Sequence, residues 1–280
     1  MNFPPKSKRL ELQIETTSTC NARCVFCPYP ALNRKGGLMS MELFARIIDD
    51  MAQIPQINSL VLHGLGDPTL DPRLVDRIKY IRQDKAIDHP IEVYTNGIAM
   101  MPHKLDALKD AGLTCVVFSV NAVRPDQHDA IMGTKGKFDT VCANADYAIK
   151  IGLAVETHAV LTNDTFNRDD MDIFYRRWGR AGVDGNGMVI YENNWAGLNR
   201  DTRLWNANNC CSRATGQIYV LVDGRVAMCC YDPSGKTTFG NLSEQSIREV
   251  YNSDYYTLFR EMHSLNRAAV FERCAGCTRT

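Results

Sequence analysis

Glu15-Thr16-Thr17-Ser18-Thr19-Cys20-Asn21-Ala22-Arg23-Cys24-Val25-Phe26-Cys27-Pro28 continues an apolar, strand-like run that begins at Leu10. Three thiols at spacings of x3 and x2 thus leave a strand end on one short polar loop. Such a loop can wrap a cubane iron-sulfur cluster, ligating three irons and leaving the fourth open. Three core cysteines are disfavoured by the polarity of the loop. A zinc site is disfavoured because structural zinc prefers paired C-x2-C knuckles.

Outward from this loop, strand-length apolar runs alternate with segments of helical period. Residues 10–17, 59–63, 91–95, 115–120, 155–161 and 188–191 read as strands, and 41–52, 72–82, 104–111, 140–151 and 170–181 as helices between them. This alternation predicts an α/β fold, a partial (β/α)6 barrel with the parallel sheet inside and helices outside. Its chemistry belongs at the C-terminal ends of the strands. After Tyr191 the pattern changes. Residues 217–221 and 225–228 read as a hairpin turning at Asp223-Gly224, followed by helices over 245–252 and 254–264. The predicted division is a core domain, 1–195, and a small C-terminal domain, 196–280.

The 280 residues carry 32 basic and 32 acidic side chains, so the formal charge is zero. That argues against nucleic acid and anionic membranes as partners. No long apolar run exists, and the Pro/Lys/Arg-rich start lacks the apolar middle of a signal peptide, which predicts a cytoplasmic chain. In that compartment the eleven cysteines, grouped in clusters except for the isolated Cys115 and Cys142, point to metal rather than to disulfides.

The cluster loop resembles that of the radical S-adenosylmethionine superfamily, including the aromatic Phe26 before the third cysteine. The resemblance implies that Cys20, Cys24 and Cys27 ligate a 4Fe-4S cluster whose open iron chelates S-adenosylmethionine, and that cleavage of the cofactor yields a 5′-deoxyadenosyl radical. Gly64-Leu65-Gly66-Asp67-Pro68 resembles the family's Gly-Gly-Glu-Pro loop, which presents backbone groups to the methionine amino group. Asp67 stands where Glu is commoner, which puts only side-chain contacts in question. Ser119 and Asn121, closing the fourth strand, match positions that contact the cofactor's ribose and carboxylate. Phe26, Pro28 and residues 188–191 match positions that pack on adenine.

A second constellation, Cys211, Gly224, Cys229 and Cys274-Ala-Gly-Cys277, resembles the C-terminal extension called SPASM, in its shortened form called twitch. It implies one auxiliary 4Fe-4S cluster, held by Cys211, Cys229, Cys274 and Cys277. Cys210 and Cys230 remain alternatives to their neighbours, because adjacent residues of extended chain point oppositely. A zinc ribbon is the competing reading.

A closed auxiliary cluster implies an electron acceptor. The expected reaction is two-electron oxidation of a polar small molecule, with an aminocyclitol dehydrogenase among relatives of this size. A flavodoxin- or ferredoxin-type protein is the expected electron donor. Epimerisation or isomerisation with a thiol as hydrogen donor, maturation of a peptide, and modification of a nucleotide or nucleic-acid base are the alternatives. Strand ends nominate His63, Tyr94, His158, Tyr191 and Glu192 as bases or substrate contacts. Arg34 and Lys35 are candidates for an anionic substrate group, with a solvated loop as the default.

Overall fold

The computed structural model describes residues 9–161, 166–179, 186–191, 211–275 and 277. The first strand, β1 (Leu10–Ile14), sends Leu10, Leu12 and Ile14 into the main apolar core and turns Glu11 and Gln13 to the opposite face. That alternation is the period of a strand with an apolar back and a polar front. β2 (Ile57–Leu62), β3 (Ile91–Thr95), β4 (Cys115–Ser119), β5 (Ala154–Leu161) and β6 (Asn186–Tyr191) follow, each parallel to the one before.

Helices cover the apolar back of the sheet. In α1 (Met41–Met51) the buried residues are Phe44, Ile47, Ile48 and Met51, the stripe expected at 3.6 residues per turn, and the Ser40 hydroxyl caps it by accepting from Leu43 N. The helix expected over 72–82 is shorter: α2 (Leu74–Lys79) gives way to a single π turn, Tyr80–Asp84. α3 (Pro102–Ala111) ends at Gly112, whose φ of +99° favours glycine. α4 (Pro125–Met132) was not foreseen, although Pro125 at its first turn and Gly133 at its end, φ +60°, are ordinary start and stop signals. α5 (Phe138–Lys150) and α6 (Arg168–Trp178) complete the layer.

The C-terminal segment adds α7 (Ser212–Gly216), β7 (Gln217–Val220), β8 (Arg225–Ala227), β9 (Thr238–Asn241), α8 (Ile247–Tyr251), α9 (Asp254–Ser264) and α10 (Glu272–Ala275). The hairpin turns at Gly224, φ +88°, as expected. β7 pairs parallel to β1, giving the order β6-β5-β4-β3-β2-β1-β7-β8-β9 in one sheet. The C-terminal hairpin therefore extends the sheet itself. The proposed division at residue 196 falls outside the described residues. Among the described residues, no helix is long and apolar enough to cross a membrane.

Candidate active site

The loop after β1 is held by backbone bonds from several directions. Ser18 N donates to Gly37 O and Gly37 N to the Ser18 hydroxyl, while Cys20 N donates to the Tyr29 hydroxyl at 3.2 Å. The end of α4 supplies acceptors: Arg23 N donates to Met132 O (2.8 Å) and Val25 N to Ile131 O (2.9 Å). Cys20, Cys24 and Cys27 are each partly exposed. Burial pushes all three thiols up, Cys27 to about 11, and Cys24 is raised further by Cys27 and Cys20. Three sulfurs close enough to repel one another, with Arg23 as the cation that partly offsets this at Cys20 and Cys27, suit an iron-sulfur cluster that would bind them as thiolates. Among the described residues no three His, Cys, Asp or Glu side chains form a mononuclear metal site.

The Gly64–Pro68 loop packs directly on this one. Asp67 N donates to Thr19 O at 2.8 Å. A Cβ on Gly66 would lie 2.2 Å from Thr17 O and 2.6 Å from Thr19 O, and one on Gly64 would strike the Glu15 side chain at 2.4 Å. Gly66→Ala is therefore expected to cost about 1–3 kcal/mol of stability, because backbone rather than a movable side chain must yield. Urea unfolding and S-adenosylmethionine binding by calorimetry check it; an unchanged midpoint with unchanged binding would refute the close approach.

The Asp67 carboxylate is turned into the protein. It accepts from Thr69 N, the Thr69 and Thr95 hydroxyls, and Asn96 N, at 2.6–3.0 Å. Its shorter side chain thus ties the loop to the end of β3. Asn96 carries the connection onward, its amide donating to Asn21 Oδ1 at 2.7 Å and lying 3.9 Å from Cys20 Sγ. Asn121 is likewise engaged internally: its Oδ1 accepts from Val160 N, its Nδ2 meets Met132 Sδ, and its φ is +56°. Ser119 is half-buried. Phe26 is half-buried and packs on the main core, and Pro28 is buried.

Of the five candidate bases, the structure brings three together on the polar front of the sheet. His63 and Tyr94 have ring centroids 4.9 Å apart, and Tyr94 and His158 5.8 Å. Residues facing this lumen, such as Glu92 and Tyr94 of β3, are half-buried, whereas Ile91 and Val93 on the back are fully buried. His63 Nδ1 has no hydrogen-bond partner. Burial, then the Arg213 cation, then His158 lower the His63 pKa to about 4, so it is neutral at neutral pH. Burial and three carboxylates, led by Glu92, raise the Tyr94 hydroxyl above its usual range. His158 Nε2 lies 3.3 Å from Glu156. Tyr191 pairs with Leu161 through β6, and Glu192 lies outside the described residues.

Arg34 does not lie on a solvated loop. It forms a two-pronged ion pair with the fully buried Glu15, at 2.5 and 2.9 Å, and donates through Nε to Pro233 O. Glu15 also accepts from Leu65 N and Val222 N, each at 3.0 Å. One carboxylate thereby joins β1, the loop after β2 and the C-terminal hairpin. Lys35 donates to Pro30 O beside the Tyr29 ring.

Cys211, Cys229, Cys274 and Cys277 line one pocket with Arg213 and His263. Burial, then Cys277 and Cys211, push Cys274 up to about 12, so these thiols also sense one another. Four thiols in one pocket fit a fully ligated cluster. Cys230 faces the other way, against Tyr219, Leu221 and Ala227. Since Tyr219 pairs with Gln13, this is the lumen side of the sheet. Of the other spare thiols, Cys115 begins β4, Cys142 packs on the main core in α5, and Cys210 is not among the described residues.

A barrel sheet with a three-thiol loop at the end of its first strand and a four-thiol pocket among the C-terminal helices α7, α9 and α10 defines a class of radical enzyme. Residues 14–176, over half of the chain, match the Radical SAM superfamily, and the chain belongs to it. Residues 210–278 match SPASM, an iron-sulfur cluster-binding domain. The cofactors are accordingly S-adenosylmethionine, the 4Fe-4S cluster that binds it, and an auxiliary iron-sulfur cluster.

Over 269 residues the chain is 23% identical to the S-adenosyl-L-methionine-dependent 2-deoxy-scyllo-inosamine dehydrogenase of Niallia circulans, covering 95% of this chain and 91% of that one. It is 30% identical over 122 residues to a cofactor-modifying protein for tungsten-containing aldehyde ferredoxin oxidoreductase from Pyrococcus furiosus. That match covers 44% of this chain and only 33% of the relative. The solved structure of BtrN in complex with AdoMet and 2-DOIA has the same fold, with a TM-score of 0.67 and 20% identity over 97% of this chain and 94% of that one.

Proposed function

We propose that the protein is a dehydrogenase that oxidises a hydroxyl-bearing small molecule of the aminocyclitol class by two electrons. The observation that carries this reading is the polar lumen, where His63, Tyr94 and His158 are drawn together and where Arg213, which also lines the four-thiol pocket, acts on His63. Full-length similarity to the inosamine dehydrogenase supports it. Cys20, Cys24 and Cys27 would hold the cluster that binds S-adenosylmethionine, which would supply a radical able to remove a hydrogen atom, and Cys211, Cys229, Cys274 and Cys277 would hold an auxiliary cluster that would supply an acceptor for the remaining electron. Ser119, Phe26, Pro28 and the Gly64–Pro68 loop frame the cofactor, the last through its backbone. Neutral His63, with Nδ1 unpaired, takes the hydroxyl proton, and His158 beside Glu156 orients the ring system. A flavodoxin- or ferredoxin-type donor in the cytoplasm supplies electrons.

A second reading, epimerisation, is favoured by one observation: Cys230 presents a spare thiol on the lumen face. Anaerobic turnover of candidate aminocyclitols and sugars, following product mass and 5′-deoxyadenosine together, separates the two. Loss of two mass units with one deoxyadenosine per product is expected. Unchanged mass with solvent deuterium gained at one carbon would replace oxidation by epimerisation.

A further inference from the structure

Arg213 stands where the lumen and the four-thiol pocket meet. It leaves the same short turn as Cys211, the residue that caps α7, and it lines the pocket together with Cys211, Cys229, Cys274 and Cys277. From there its Nη1 reaches across to Cys230 Sγ at 2.9 Å, on the lumen face, and its guanidinium lies 5.1 Å from the centre of the Tyr231 ring. Its Nε is buried and without a hydrogen-bond partner. Among the described residues, no carboxylate lies within ion-pair distance of it. A guanidinium placed this way is costly unless negative charge elsewhere compensates it.

Four thiolates around four irons carry net negative charge, and each added electron makes that charge larger. A fixed cation beside such a group favours its reduced form, because the attraction grows with the charge it faces and is strong away from bulk water. We propose that Arg213, which shares the pocket lining with Arg273, is the counter-charge of the auxiliary cluster on the side facing the lumen, a positioning residue that raises the cluster's reduction potential and so makes it the better electron acceptor there. The inference rests on the placement of that cluster in the four-thiol pocket. The contact with Cys230 anchors the far prong of the fork, so that the charge is held between pocket and lumen instead of swinging into solvent.

The test uses the reconstituted holoprotein without substrate or S-adenosylmethionine. Iron content and redox titration followed by electron paramagnetic resonance are compared for wild type, Arg213→Gln and Arg213→Lys. Expected is a shift of the auxiliary midpoint to lower potential in Arg213→Gln, with iron content and the midpoint of the other cluster unchanged, and recovery of most of the shift in Arg213→Lys. An unchanged auxiliary midpoint at full iron content, or an equal shift of both clusters, overturns the proposal. Should Arg213→Gln lose its auxiliary iron, Arg213→Lys decides alone: a midpoint near wild type supports the charge, and one that falls well below it refutes it. Placement of the cluster is read separately, since Cys229→Ala must remove auxiliary iron if the pocket is right, whatever Arg213 does.

Discussion

Replacing Cys20, Cys24 and Cys27 together by Ala is expected to abolish 5′-deoxyadenosine formation and to remove about half of the bound iron, leaving the auxiliary cluster in place. The loop has little other reason to change. Its shape is set by backbone bonds to Gly37, Ile131 and Met132, none of which uses a sulfur, so the variant should fold. What it loses is the only set of thiols at the C-terminal end of β1. Iron analysis and chromatography of the cleaved cofactor measure both effects, with Cys142→Ala, on the outer helix layer, as the control that retains activity. Cleavage surviving in the triple variant would remove the assignment of this loop altogether.

Glu15→Ala is expected to cost about 3–5 kcal/mol, the range for breaking a buried ion pair on one side. The carboxylate is fully enclosed and accepts from both prongs of Arg34 and from Leu65 N and Val222 N. Its removal strands a guanidinium and two buried amides at once. Glu15→Gln should cost less, because one acceptor oxygen and most of the volume remain. The informative companion is Glu15→Gln with Arg34→Met, which should be more stable than Glu15→Gln alone, since the unmatched charge has gone. Urea unfolding of the holoprotein reads all three, with Arg34→Met alone to close the cycle. Independent, additive effects of the two substitutions would mean that the pair is not the unit the geometry describes.

That pair also shows where reading the sequence stops. The cysteine motifs are legible because ligand spacing is local: x3 and x2 in one loop, x2 in another. The strand ends that carry His63, Tyr94 and His158 are legible from the two-residue period of buried sheet. Glu15 and Arg34 are 19 residues apart and meet only because the chain returns over the end of β1, so Arg34 read as a solvated or substrate-binding cation. Asn96 and Met132, which brace the cluster loop, carry no motif at all; only Pro125 and Gly133 signal the helix that delivers Met132. Alternation foretold that Cys229 and Cys230 would part company. Which of them faces the pocket depends on which side of β1 the hairpin docks, a tertiary fact. Cys210 and Glu192 fall outside the described residues.

The parallel seam between β1 and β7 governs how the chain is assembled in time. Glu11 and Gln217, joined across it, are 206 positions apart. On a ribosome the first strand therefore waits on the order of 10–40 s for its second neighbour at ordinary elongation rates. Throughout that interval a row of unpaired amides and carbonyls beside the cysteine loop is open to other nascent chains. Any truncation that ends before Val220 makes this condition permanent, and such fragments should be sticky as well as short of a cluster.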